Sequence, residues 1–153
     1  MGIVVASLVA AVLLFATELS TVASVDVASG SCEVIHDTDP ALADRCKLSG
    51  FERNGGSFLV VGAAIAAMGV GAGLGRSRPA AVALIVLGAG VLIWSLAVDL
   101  PVSDETGALG ESFEGARASA GSGLWLELVA GVLAAGAGGA ALLVQRLDHL
   151  VDA

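Results

Sequence analysis

Four stretches of this 153-residue chain are nearly free of charge: Ile3–Val25 carries only Glu18, Phe58–Gly75 and Pro79–Val98 carry none, and Leu124–Val144 carries only Glu127. A helix rises 1.5 Å per residue, so about 20 apolar residues cross the ~30 Å hydrocarbon layer of a bilayer. Each stretch is close to that length. The buried helices of a soluble protein keep a polar stripe toward water, and the second and third stretches have none. Composition agrees: 14% of residues are charged and 56% apolar, where a soluble domain has roughly 25% charged, and the mean hydropathy is +0.90. The chain reads as an all-α polytopic membrane protein of one domain, residues 1–153. The expected architecture is an up-down four-helix transmembrane bundle in the lipid bilayer. Its helices cover 3–25, 58–75, 79–98 and 124–144, its outer loops 26–57 and 99–123, and its inner turn 76–78.

The first stretch also has the length of a signal-peptide core over Ile3–Ala16, with small residues at Ala23 and Ser24. No Lys or Arg precedes it, and a signal peptide carries positive charge there. Retention as a helix is favoured, and either outcome leaves the following segment on the same side.

Orientation follows from the basic residues nearest the helix ends. Arg76 and Arg78 bracket the short turn and Arg146 abuts the fourth helix, whereas the two long loops hold eleven acidic against four basic residues. Both termini and the short turn are therefore expected in the cytoplasm, and the long loops outside. Cys32 and Cys46, the only cysteines, both fall in the first long loop. A disulfide there would close a ring of about 15 residues, worth about 3 kcal/mol on the chain-entropy estimate, in a compartment that permits it. Within the ring, Asp39 reads as an N-cap and Pro40 as the first position of a short helix over Ala41–Cys46. Trp94 and Trp125 lie about one turn inside their helix ends, where amphipathic rings anchor at the interface.

Helix association in lipid depends on close backbone approach through small residues. The second helix offers Ala63, Ala67, Gly71 and Gly75 at four-residue spacing, and the fourth offers Gly131, Ala135 and Gly139. Such stripes serve packing within the chain, a homodimer or a larger membrane-protein partner. Gly75 also suits a C-cap at positive φ, and Pro79 the first turn of the next helix.

No reaction is nominated. Gly69-Val-Gly-Ala-Gly-Leu-Gly75 lacks both the GxGxxG register and a P-loop Lys, and HExxH, CxxC and GxSxG are absent. The chain is read as a non-enzyme that needs no cofactor or metal. With 7 Lys and Arg in total, it cannot build the basic face that nucleic acid requires. His36 among Glu33, Asp37, Asp39 and Asp44 fits a solvated acidic loop better than a zinc motif, and Glu111–Ala118 reads as a short helix. Ionisable residues inside a membrane are costly and mark candidate sites. Glu18 shares a helical face with Leu14, Ala11 and Ser7, and Glu127 shares one with Gly131, Ala135 and Gly139. The two carboxyls would form a proton or cation site if they meet. The plainer reading has Glu127 stabilised by a helix N-terminus and Glu18 reaching interfacial water beside Ser20, Thr21 and Ser24.

The run Ala97-Val-Asp-Leu-Pro101, Thr106-Gly107, Glu111, Phe113-Glu114 and Gly121-Ser-Gly-Leu-Trp-Leu-Glu-Leu128 resembles that of uncharacterised small four-helix membrane proteins of high-GC bacteria. The resemblance implies an envelope membrane location and no activity. A comparison with small multidrug-resistance transporters rests on Glu18 in the first helix. The long loops and the absence of Tyr depart from that pattern. The expectation is therefore a structural or accessory subunit of the cell envelope, with a small proton- or cation-coupled transporter as the alternative.

Overall fold

The computed structural model describes residues 1–26, 47–104 and 116–151, over which the chain is mostly helical. In order, the elements are α1 (Gly2–Glu18), β1 (Thr21–Asp26), β2 (Lys47–Ser49), α2 (Gly50–Asn54), α3 (Ser57–Gly73), α4 (Arg78–Trp94), β3 (Arg117–Ala120) and α5 (Ser122–Val151). Beyond Trp94 the helix α4 widens into a π-helical turn, Ser95–Asp99, and ends with Leu100–Val102. Among the described residues, two helices are long and apolar enough to cross a membrane, Arg78–Val102 and Ser122–Asp148. Those in the other two apolar stretches, α1 and α3, are shorter, at 17 residues each.

The four long helices pack in a ring, α1 on α3, α3 on α4, α4 on α5 and α5 on α1. Neighbours run antiparallel. The end of α1 meets the start of α3 through Glu18 and Phe58, and Gly88 in α4 faces Gly131 and Ala135 in α5 while Gly138 faces Ala81 and Ile85. The interior is built from small side chains such as Ala10, Ala81, Ala130 and Ala134 around Leu14, Ile65 and Leu84, all fully buried. Larger apolar side chains, among them Val12, Val60, Val86, Val132 and Leu143, point outward.

The contact between α4 and α5 is glycine-mediated. A Cβ on Gly88 would stand 2.5 Å from the Ala135 backbone nitrogen and 2.7 Å from the Gly131 carbonyl oxygen. Of the glycines expected to pack, Gly131 lies in this contact, against Leu92, and Gly71 faces Ala80 across the turn. Gly139 faces open space, and the close approach falls on its neighbour Gly138, where a Cβ would stand 2.6 Å from the Ala81 carbonyl oxygen.

The turn between α3 and α4 differs in detail from the expectation. The left-handed residue is Arg76 (φ 48°), one position after Gly75. Gly75 is needed for space, since a Cβ there would stand 2.7 Å from the Gly71 carbonyl oxygen. Ser77 caps α4, its side chain accepting from the Ala80 N–H, with Pro79 in the first turn as expected.

At the opposite end the chain forms a sheet where the apolar pattern predicts only helix and loop. β1 is the middle strand, antiparallel to β2 on one side and to β3 on the other. The first helix therefore stops at Glu18 and not at Val25, and residues 21–25, with β-branched Thr21, Val22 and Val25, form a strand as their side chains prefer. Arg117 and Ala118 likewise belong to β3 and not to a short helix. The expected loop over 26–57 contains β2 and α2, the latter started by a capping box in which Ser49 and Glu52 bond reciprocally. Cys32, Cys46 and the short helix expected after Asp39 lie outside the described residues.

Candidate functional site

Where the sheet meets the helices, three carboxyl side chains are buried: Glu18 from α1, Asp99 from the π-helical turn and Glu127 from α5, exposed by 2%, 0% and 0%. Each is positioned by local structure. Glu18 is the last residue of α1, on the buried face with Ser7, Ala11 and Leu14. Pro101 cannot donate to a carbonyl one turn back, and the widened turn before it bonds the Leu100 N–H to the Ser95 carbonyl. Ser95 and Asp99 both end up fully buried. Glu127 lies beyond the first turn of α5, which begins at Ser122, so the helix-terminus explanation does not fit it.

The partners of the three carboxyls differ in kind. Glu18 Oε1 accepts the backbone N–H of Phe58 at 2.9 Å, satisfying a first-turn donor of α3 that has no partner within its own helix. The interfacial-water reading is thereby replaced: Glu18 acts as a cap supplied by another helix. Asp99 Oδ1 accepts from Arg53 Nε at 3.1 Å, and the same guanidinium donates to the Val98 carbonyl at 3.3 Å. Glu127 Oε2 lies 2.9 Å from the Ser95 hydroxyl, which is also 2.9 Å from the Val91 carbonyl. Ser95, which touches Glu127, lies four residues before Asp99 in the same widened turn, and the Thr17–Gly123 contact brings the end of α1 to the start of α5, so the three carboxyls lie at one end of the helical body. Glu18 Oε2, Asp99 Oδ2 and Glu127 Oε1 have no hydrogen-bond partner among the described residues.

The surrounding shell fixes this end of the molecule. The Thr17 hydroxyl lies between the carbonyls of Leu13 and Gly123, at 3.1 and 3.4 Å. Gly50 packs against the Thr17 carbonyl, leaving no room for a Cβ. Trp94 Nε1 donates to Asn54 Oδ1 at 3.3 Å, and the two residues border a groove of about 250 Å³ between α3 and α4, lined also by Phe58, Val61, Leu87 and Gly90. Trp125, in the first turn of α5, is largely exposed at the same end. In the capping box, hydrogen bonds from Ser49 lower the pKa of the Glu52 carboxyl from its ordinary value.

The structure buries both carboxyls that the sequence singles out at the same end of the helical body and adds Asp99, Arg53 and Ser95, which the sequence does not single out. By sequence, Asp99 is the first residue of a solvated loop and Arg53 a loop charge. The available signals are Asp99 placed directly after an uninterrupted apolar run, four residues from Ser95, and the Ser49-x-x-Glu52 spacing that announces the helix carrying Arg53. Among the described residues, no group of three or more His, Cys, Asp or Glu side chains is arranged to hold a metal ion. Comparison with known proteins finds no matching family model, curated protein or solved structure. The resemblance over residues 97–128 therefore has no matching family behind it.

Proposed function

We propose that this chain is a four-helix transmembrane protein of the bacterial envelope that acts without catalysis, as a structural or accessory subunit. The observation that carries the reading is the inverted size pattern of the helical body, with Ala and Gly inside and Val and Leu outside. A soluble helical protein buries its large apolar side chains, whereas helices in lipid gain by packing small residues and leaving large ones to the acyl chains. At 17 residues, α1 and α3 stand at the lower bound for a spanning helix. In the proposed topology the Arg76–Arg78 turn and both termini are cytoplasmic. The sheet and the acidic connections, with the Cys32–Cys46 disulfide, are outside. The chain is expected to stay with the membrane after alkaline carbonate extraction, and release into the supernatant refutes the membrane reading. Affinity purification from native membranes is expected to recover a stoichiometric membrane-protein partner, and recovery of a homodimer alone refutes the accessory reading.

A second reading, a small proton- or cation-coupled transporter, is favoured by the burial of Glu18 and Glu127 at the same end of the helical body. Substrate uptake driven by a proton gradient and abolished by Glu18→Gln would support it. Uptake unaffected by that change removes it.

A further inference from the structure

We propose that Glu127 holds a proton at neutral pH, so that the sheet-proximal end of the helical body is a proton-binding site. The ligand is H⁺ itself, taken from water and held on the buried Glu127 carboxyl.

Hydrogen-bond accounting points first to Glu127. The Ser95 hydroxyl has one proton but faces two acceptors at 2.9 Å, the Val91 carbonyl and Glu127 Oε2. Of the three carboxyls, Glu18 has a helix N-terminal N–H and Asp99 a guanidinium, both partners that favour an anion. Glu127 has only the hydroxyl. Its remaining oxygen, Oε1, and the remaining oxygen of Asp99, Oδ2, are both unpartnered in fully buried side chains. A proton on Glu127 supplies the donor that its contact with Ser95 lacks and removes one buried charge.

Charge leads to the same place. Among the described residues, the charged and titratable groups at the cluster are Glu18 from α1, Arg53 from α2, Asp99 from the turn after α4 and Glu127 from α5. Fully ionised, they set three negative charges against one positive charge, and a buried charge without a partner is strongly unfavourable. One proton on Glu127 removes the least compensated charge. Without the proton, two anions oppose each other across the contact between α4 and α5, and the sheet-proximal end loosens.

The test is infrared spectroscopy of the full chain reconstituted in phosphatidylcholine vesicles. Wild type is expected to show the carbonyl band of a protonated carboxylic acid at neutral pH, lost reversibly as the pH is raised, and Glu127→Gln is expected to lack it. Absence of the band in wild type at neutral pH, or its persistence unchanged in Glu127→Gln, overturns the proposal. Should Glu127→Gln fail to fold, Ser95→Ala must shift the band, because the carboxyl loses its hydroxyl partner; an unshifted band overturns it too. Calorimetric titration with Na⁺ or Ca²⁺ alone is expected to give no saturable heat, and saturable binding lost in Glu127→Gln replaces the proton with a cation. A band without proton flux across the vesicle membrane upholds the site and removes the transporter reading.

Discussion

At the scale of single residues, Arg53 is what makes the buried Asp99 tolerable as an anion. Its side chain is 28% exposed while that of Asp99 is fully enclosed, so the two partners lose unequal hydration, and removing the arginine leaves the costlier charge behind. Arg53→Met is expected to destabilise the protein by about 3 kcal/mol, the lower range for breaking a buried ion pair. Adding Asp99→Asn should restore part of the loss, which thermal unfolding in detergent would measure. Equal stability of Arg53→Met and wild type would refute the pairing. The face of α1 bearing Glu18 is legible in the sequence because Ser7, Ala11 and Leu14 recur at helical spacing and are buried with it. Asp99 is not, because its burial depends on a widened turn and on an arginine 46 residues away.

At the scale of elements, two glycines in α4 separate helix contact from open surface. Gly88 meets the backbone of α5, which cannot move aside as a side chain can, whereas a methyl group placed on Gly90 would have nothing within 4 Å. Gly88→Ala is expected to cost about 1–3 kcal/mol through forced separation of α4 and α5. Gly90→Ala should be neutral or stabilising by up to about 1 kcal/mol through helix propensity. Thermal midpoints of the two variants check this, and a Gly88→Ala protein as stable as Gly90→Ala would refute the close contact. The helices are readable because absence of charge over about 20 residues is a strong signal. The strands are not: β2 has three residues, and β3 is Arg-Ala-Ser-Ala, a sequence with little preference for extended structure. Those residues are extended because β1 offers them backbone partners, which is a tertiary cause.

At the scale of the whole molecule, the sheet ties together the two connections at one end of the helical body. Ser24 in β1 stands opposite Ser119 in β3, their hydroxyl oxygens 3.0 Å apart. Residues directly opposite on antiparallel strands have Cβ atoms about 4.5–5.5 Å apart, near the range a disulfide requires. In a chain with Cys32 and Cys46 replaced by Ser, Ser24→Cys with Ser119→Cys is expected to form an intramolecular disulfide on mild oxidation. Peptide mass mapping after thiol alkylation would detect it, and two freely alkylated thiols would refute the strand pairing. The sheet also has a mechanical consequence. Only Leu19 and Ser20 separate the end of α1 from the start of β1, and both backbone N–H groups are bonded back into the helix. So short a splice has almost no slack, and a pull on the rim of the sheet would arrive as a tug on Glu18 and its bond to Phe58.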